Sequence, residues 1–333
     1  MKILLVGAGA VGLGLAGSLI IGGAEVHFFG RGFAKLPTDH DGIKIRGLFG
    51  RFDIPSAQFQ VLDYDSTQIK TSYDLTIIAT KAYDVLNALK DLLQRLEQKR
   101  QIGDVLLVQN GWGIAQEVRQ GLNNDLRIYS ASVITGFEKF TPREIEITAH
   151  ADDIKIGCLF DHLPSDVEVL VKAFKRGFIP TSYDEDVTKT LLNKLMYNLC
   201  LNPLGAILGC SYGELAGSKF ATNLMVKMAE EAVKCIKAGL EVENWNSGDD
   251  YVYGELLPKL IPLTSAHHSS MLQDIRSRRK TEIQYINGAV VKLAKQRGLQ
   301  APVNQTIVDL IKYLEENSAN RSDGSESLRS VSV

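Results

Sequence analysis

The sequence predicts an α/β protein with two domains, an N-terminal Rossmann-type doubly wound sheet followed by an all-α C-terminal domain. Three observations lead to this prediction. The chain has 333 residues, more than one hydrophobic core usually serves. Short apolar strand patterns alternate with helical patterns in its first half, which is typical of a parallel sheet covered on both faces. From about Asp186 onward only long helical patterns remain.

Continuous apolar runs predict the buried parallel strands of the first domain, at Lys2–Val6, Glu25–Phe29, Asp74–Thr80 and Asp104–Val108. Helical periodicity predicts helices over Val11–Ile21, Ala82–Arg100 and Asp166–Lys175. Alternating apolar and polar residues within 42–62, 143–147 and 153–157 indicate short antiparallel additions.

The second half predicts helices over 187–201, 218–240, about 250–260, 270–296 and 304–316. We expect Pro203 to kink or end the first of them. The composition changes close to Pro180, so we place the domains at 1–183 and 184–316. The last stretch, 317–333, is rich in Ser, Asn and Arg and is expected to be a disordered tail.

Composition excludes several classes of function. The net charge of -2 gives no indication of nucleic acid or an anionic membrane as a partner. The four cysteines form no C-x-x-C pair, which favours reduced thiols in a cytoplasmic protein over disulfides or a metal site. The apolar stretch Met1–Ala24 contains seven glycines, so we do not interpret it as a membrane span.

The first six residues after the opening strand carry a cofactor pattern: Gly7, Ala8, Gly9, Ala10, Val11 and Gly12. In a G-x-G-x-x-G turn the first glycine permits the tight turn. The second lets the backbone approach a pyrophosphate, and the third lets the helix pack on the strand. The position directly after a strand makes a packing loop without a ligand the less favoured interpretation. We therefore predict a dinucleotide site.

The end of the second strand indicates which dinucleotide binds. NAD sites usually carry an acid there, whereas this chain has Phe29, Gly30 and Arg31. A guanidinium suits a 2′-phosphate, which favours NADP(H). The alternative is that Arg31 is a solvated surface residue.

Lys81 and Asn110 follow two further predicted strands. Ligands of open α/β sheets bind at the carboxyl ends of the strands, so Lys81 is a candidate for the cofactor and Asn110 for the cofactor or the substrate. Either residue could instead be part of a turn. For Asn110 this interpretation has direct support, because Asn-Gly is a common turn pair.

A polar stripe marks the first helix of the second domain. Lys194, Asn198 and Asn202 are spaced i, i+4 and i+8, which places them on one face of an otherwise apolar helix. Solvent-facing surfaces are usually wider and richer in charge, so the stripe is more typical of a cleft. Desolvation would lower the pKa of the lysine and suit it for proton transfer.

The segment 269–288 holds two further candidates. Ser270 and Gln273 resemble a capping box, which predicts a helix N-terminus at Ser270 that could seat a substrate carboxylate or serve only as a cap. Glu282 lies further along the same segment. Its alternative interpretation is a surface acid paired with Arg278 or Arg279.

The motifs GAGAVG (7–12), TKA (80–82), QNG (109–111), NKLMYNLCLNPLGAI (193–207) and SSMLQDIRSRRKTEIQYING (269–288) together resemble the ketopantoate reductase family. The likeness runs from Met1 to about Tyr313. It implies reduction of ketopantoate to pantoate with NADPH, toward pantothenate and coenzyme A. A reductase of another small 2-oxo acid, a dehydrogenase of a phosphorylated polyol and a catalytically silent NADP(H)-binding sensor are the alternatives.

The resemblance also implies roles for individual residues. Lys194 matches the proton-donating lysine, and Glu282 matches its acidic partner beside the cofactor. Asn198, Asn202 and Ser270 match substrate-binding positions. The same likeness puts Asn110 between cofactor and substrate and puts Arg31 and Lys81 beside the cofactor phosphates. His267 and Tyr212 depart from the family pattern, since some members have asparagines there, which leaves the specific keto acid open. We expect a monomer or homodimer without a metal.

Overall fold

The computed structural model describes residues 1–30, 42–64, 68–122, 126–160, 164–240 and 245–320. The chain divides into two compact units, Met1–Leu191 and Leu192–Val333. The division falls within a single helix, a few residues after the position that the sequence suggests. The predicted domain limits at 183 and 316 stay predictions.

The first unit is built on an eight-stranded sheet with the order β12-β11-β8-β7-β6-β1-β2-β5. Its strands are β1 (Lys2–Val6), β2 (Glu25–Phe29), β5 (Phe59–Val61), β6 (Leu75–Ile78), β7 (Asp104–Leu107), β8 (Ile128–Ser132), β11 (Ile154–Cys158) and β12 (Thr181–Tyr183). The pairs on both sides of β1 are parallel, and the chain leaves β1 toward β2 and later returns to β6 on the other side. This reversal is where doubly wound sheets bind ligands. The predicted fold class is confirmed.

The described residues of this unit form the helices α1 (Ala10–Ile21), α2 (Val85–Arg95), α3 (Ile114–Leu122) and α4 (Pro164–Lys175). Helix α2 is shorter than the predicted 82–100. It starts after a 3₁₀ turn and ends at Arg95, because Leu96 adopts an extended conformation and forms a bridge with Ile69.

A second sheet, β4-β3-β10-β9, covers α1. Its strands are β3 (Ile43–Gly47), β4 (Phe52–Ile54), β9 (Thr135–Thr141) and β10 (Glu144–His150). The antiparallel additions predicted near 42–62 and 143–147 lie here, although β3 and β10 pair in parallel. The strand at 153–157 instead belongs to the main sheet as β11, antiparallel to β8 and parallel to β12.

The second unit is helical. After α5 (Val187–Leu208), which begins in the first unit, it contains α6 (Tyr212–Ala216), α7 (Lys219–Lys237), α8 (Gly248–Tyr251), α9 (Ser270–Arg276), α10 (Asn287–Gln296) and α11 (Pro302–Asn320). A π-helical segment, Val252–Leu260, continues from α8. Helix α11 reaches Asn320, so 317–320 is helical rather than part of a tail, and 321–333 lies outside the described residues.

The predicted single helix over 270–296 is wrong. Helix α9 ends at Arg276, and Arg278 has a left-handed φ of 55°. A 3₁₀ turn over Ile283–Tyr285 then leads into α10. The segment does have the apolar periodicity of a helix, but this periodicity is divided between two separate helices, α9 and α10.

Pro203 does not end α5, which continues to Leu208. A proline inside a helix leaves the carbonyl four residues earlier without its usual donor. That carbonyl belongs to Leu199, and it accepts a hydrogen bond from Asn287 Nδ2 at 3.2 Å. A side chain of α10 therefore replaces the missing backbone donor, which no local pattern could reveal.

The structure also bears on the predicted exclusions. All four cysteines are free. Across the described ranges, no group of three or more His, Cys, Asp or Glu side chains could hold a metal ion. Within the same ranges no helix is both long and apolar enough to cross a bilayer.

Candidate active site

The loop Gly7–Gly12, called the glycine loop below, connects β1 to α1. Gly7 has a φ of 102°, and its N–H donates to the carbonyl of Phe29 at 3.2 Å. A Cβ there would lie 2.8 Å from the backbone of Ala79, and a Cβ on Gly12 would collide with the Gly7 carbonyl. These two glycines are required by the protein itself, as expected for the turn and for close packing of helix on strand.

Gly9 differs from its neighbours in the loop. It is exposed, its φ of -74° is accessible to any residue, and a Cβ would meet only the Ala79 carbonyl, at 3.9 Å. Neither turn geometry nor packing therefore explains a glycine here. Gly9 is also the N-cap of α1 and supplies no capping side chain. The space a Cβ would fill and the uncapped N–H groups behind it suit a pyrophosphate.

Lys81 and Asn110 follow β6 and β7, whose carboxyl ends lie at the same edge as the glycine loop. Both residues are half-buried. Gln109, beside Asn110, donates from Nε2 to the carbonyls of Ile78 and Thr80 at 2.5 and 3.1 Å. This amide ties the ends of the two strands together. The QNG motif by itself gives no sign that Gln109 connects the two strands.

Lys139 is a cation near the loop that the sequence analysis missed. Its Nζ donates to the carbonyl of Ala8 at 2.7 Å. Lys139 lies on β9, two residues from Phe137, whose ring occupies the space above Gly14. Alternation along a strand places residues two apart on one face, so the packing of Phe137 on α1 also directs Lys139 toward the loop. Arg31, the predicted 2′-phosphate partner, lies outside the described residues.

The polar stripe, formed by Lys194, Asn198 and Asn202, lies on α5 in the second unit. Asn198 and Asn202 are 6% and 4% exposed, and Lys194 is half-buried. The stripe is therefore not a solvent face. Asn198 Nδ2 has no hydrogen-bond partner among the described residues. A buried amide without a partner costs free energy unless a ligand pairs with it, so the stripe has the character of a binding surface.

Desolvation lowers the pKa of Lys194 to about 8, and the negative charge of Glu282 partly offsets this effect. Glu282 is 7% exposed. The alternative that Glu282 pairs with Arg279 on the surface is wrong, because Arg279 donates from Nε to Asp274 at 3.0 Å. Glu282 lies in the non-helical stretch between α9 and α10. The break that the sequence did not predict thus brings a buried carboxylate to Lys194.

Ser270 is not the cap of its helix. The N-cap of α9 is Ser269, whose Oγ accepts from the N–H of Leu272 at 3.0 Å and donates to the carbonyl of Asn202, also at 3.0 Å. Ser269 is fully buried, whereas Ser270 is exposed in the first turn. Serine is a favoured N-cap residue at either position, and in the structure the buried one is the cap. Ser270 keeps its place at a helix N-terminus as a candidate for an anionic group.

Tyr212 and His267 lie beside the stripe. The hydroxyl of Tyr212 donates to Asn202 Oδ1 at 2.8 Å, and its ring lies 5.4 Å from the ring of His267. The second unit thus combines one ammonium, one carboxylate and a pair of amides around α5. An ammonium whose pKa is close to neutrality can protonate an oxygen on which negative charge develops.

Comparison with known families gives two matches. The ketopantoate reductase PanE/ApbA model matches residues 3–160, and the ketopantoate reductase PanE/ApbA C-terminal model matches residues 186–315. A relative from Aquifex aeolicus named 2-dehydropantoate 2-reductase is 33% identical over 95% of this chain and 97% of its own. One of the same name from Pyrococcus horikoshii is 28% identical over 95% and 98%.

Solved structures agree on the fold. A probable 2-dehydropantoate 2-reductase from Bacillus subtilis is 25% identical and superposes with a TM-score of 0.75 over 94% of this chain and 100% of its own. A D-mandelate dehydrogenase bound to NADH and anilino(oxo)acetate is 20% identical, with a TM-score of 0.79 over 96% and 100%. The latter likeness shows a shared fold and carries no argument about substrate.

Proposed function

This chain belongs to the ketopantoate reductase family of oxidoreductases, and we propose that it reduces ketopantoate to pantoate with NADPH. The observation that carries the proposal is that buried Glu282 lies close enough to Lys194 of the polar stripe to raise its pKa, because this lysine is the proton donor that a ketone reduction needs. A silent NADP(H)-binding sensor would have no need of this pair.

The cofactor half of the proposal is supported by the glycine loop. Gly9 leaves room beside the uncapped start of α1, where a dinucleotide pyrophosphate would lie. Lys139 and Lys81 add positive charge at that edge. The proposed preference for NADPH over NADH is supported by the sequence, in which Phe29, Gly30 and Arg31 stand at the end of β2 and no acid is present for a ribose 2′-hydroxyl.

The chemistry assigned to the polar stripe is proton transfer and substrate binding. When bound, the cofactor supplies the hydride that becomes attached to C2 of the keto acid. Lys194 donates a proton to the ketone oxygen, so its N–H bond breaks as the new O–H bond forms, and solvent later restores the ammonium. Glu282 raises the pKa of Lys194 and thereby favours the protonated lysine at neutral pH. Asn198, Asn202 and Ser270 bind the substrate's oxygens, and Asn110 lies between substrate and cofactor in this proposal.

The test is oxidation of NADPH by the purified full chain in the presence of ketopantoate, with NADH as the comparison. We expect turnover with ketopantoate and a higher kcat/KM for NADPH. Tight NADPH binding without oxidation by any 2-oxo acid would contradict the proposal and favour the sensor.

A second candidate is reduction of a different small 2-oxo acid. The hydrogen bond from Tyr212 to Asn202 favours it, because it occupies one side of an amide that is a candidate substrate ligand. Relative kcat/KM values for ketopantoate and a panel of branched and aromatic 2-oxo acids decide between the two candidates. The free cysteines fit a reducing compartment such as the cytoplasm, and light scattering would distinguish a monomer from a homodimer.

A further inference from the structure

We propose that Tyr212 is a positioning residue that fixes the side-chain amide of Asn202 with Nδ2 turned away from the phenol, so that this donor, together with Lys194 and Asn198 Nδ2, favours a group with acceptors only. A carboxylate or a ketone oxygen is such a group, whereas a carboxamide carries hydrogens of its own. This inference rests on the proposed function and goes further. It assigns the discrimination between a carboxylate and a carboxamide to Tyr212, which is not one of the proposed substrate ligands.

Tyr212 is suited to hold an amide in one orientation. It is 2% exposed and begins α6, and its hydroxyl lies 2.8 Å from Asn202 Oδ1. Burial raises the pKa of Tyr212 well above its usual range, so the hydroxyl keeps its proton under all physiological conditions. A protonated phenol with an amide oxygen in reach donates to it. Reversing the amide would turn the bond around: Nδ2 would donate to the phenol oxygen, and the buried phenolic O–H would lose the acceptor that Asn202 Oδ1 provides.

Asn202 is held from a second direction as well. Its backbone carbonyl accepts from Ser269 Oγ, and Ser269 in turn caps α9. Tyr212 is itself anchored, because its N–H donates to the carbonyl of His267 at 3.1 Å and its ring meets that of Tyr197 edge-on at 5.8 Å. Because its backbone and its side chain are both held, Asn202 has little freedom to rotate its amide and present Oδ1 to a substrate.

The consequence for recognition follows from amide geometry. Oδ1 and Nδ2 lie on opposite sides of the group, so a bond that takes up Oδ1 directs Nδ2 away from Tyr212. Lys194 has only donors, and Asn198 Nδ2 is a buried donor without a partner in the described part of the chain. A carboxylate or ketone oxygen satisfies such donors. The N–H groups of a carboxamide would face donors and remain unpaired, which costs about as much as a lost hydrogen bond.

The experiment compares Tyr212→Phe with Tyr197→Phe at saturating NADPH. Tyr197 is the matched control, because its hydroxyl donates to Thr264 Oγ1 at 2.9 Å and not to the stripe. The probes are ketoisovalerate and its primary amide, measured as substrate or as inhibitor of the acid. For Tyr212→Phe we expect KM for the acid to rise and the preference for acid over amide to fall, each about tenfold, with kcat within about twofold. Tyr197→Phe should keep the wild-type preference.

A second variant guards against simple loss of folding. Asn202→Asp keeps an acceptor for Tyr212 but turns an anionic oxygen toward the substrate, so it should disfavour the acid far more than the amide. The inference is overturned if folded Tyr212→Phe keeps the wild-type preference for acid over amide. It is also overturned if this preference falls equally in Tyr197→Phe. Wild-type turnover checks the proposed function separately. Without turnover, the preference is measured from the shift in Tm that acid and amide produce with NADPH, and no shift with either refutes the inference.

Discussion

In the glycine loop the groups available to a ligand are backbone N–H groups, whereas on the polar stripe they are side chains. In the proposed function the loop accommodates a pyrophosphate because Gly9 adds no side-chain atoms, and the geometry of the loop follows from six consecutive residues. In the same proposal the stripe transfers a proton because Lys194 is desolvated and Glu282 approaches it from a distant segment. A backbone site is insensitive to pH and to side-chain chemistry, while a buried charged site depends on both. Four predictions test this contrast.

The largest effect is expected from Lys194→Met. Removing a general acid while keeping an apolar chain of similar length should lower kcat on the order of a hundredfold or more. The affinity for NADPH should be unchanged, since the loop belongs to the other unit. Lys189→Met, an exposed position on the same helix, is the control. Steady-state rates measure kcat, and fluorescence titration measures NADPH affinity. A kcat within twofold of wild type in Lys194→Met would remove Lys194 from the mechanism.

Two alanine substitutions in the loop should separate binding from folding. Gly9→Ala meets no close atom of the protein, so Tm should change little, while the dissociation constant for NADPH should rise at least about tenfold because the methyl group occupies the pyrophosphate's place. Gly12→Ala collides with the Gly7 carbonyl and should lower Tm by several degrees. Calorimetry and titration measure both. Equal effects of the two variants on Tm would mean that Gly9 is structural.

The pH profile should follow Lys194. Its pKa is lowered to about 8, and the reduction uses the protonated form, so kcat should be constant below that pH and fall as pH rises through it. Glu282 raises this pKa, so Glu282→Gln should move the fall to lower pH. NADPH affinity measured over the same range serves as the control. A profile that moves to higher pH in Glu282→Gln would contradict the assigned pairing.

The smallest effect belongs to Lys139→Met. An exposed cation beside a phosphate contributes a fraction of a kcal/mol to about 1 kcal/mol, so NADPH affinity should fall by no more than about fivefold, and the difference should shrink with added salt. Lys172→Met, on the exposed surface of α4, should change nothing. An effect that does not depend on salt would indicate that Lys139 acts through the Ala8 carbonyl and the loop's conformation.

The local patterns of the sequence were sufficient for much of the fold. Apolar runs identified the strands around β1, because a strand buried on both faces is a continuous apolar run without alternating polar residues. The spacing of Lys194, Asn198 and Asn202 identified the stripe, because a helix converts i+4 spacing into a common face. Both inferences needed only residues close together in sequence.

Other features depended on contacts between distant segments. Pro203 stays inside α5 because Asn287 supplies a donor to Leu199, and Ser269 rather than Ser270 caps α9 because Ser269 is the buried one. Lys139 approaches the glycine loop only because Phe137 packs over Gly14. The bond between Tyr212 and Asn202 belongs to the same group.

The sequence alone therefore determined the parallel strands around β1, the glycine turn and the face of α5 that carries polar side chains, since each follows from backbone geometry over a few residues. The tertiary structure decided which polar groups are desolvated and which partner each of them finds. Burial and hydrogen bonding depend on the segments that pack nearby. Those segments are often distant in sequence, so local sequence patterns do not indicate them.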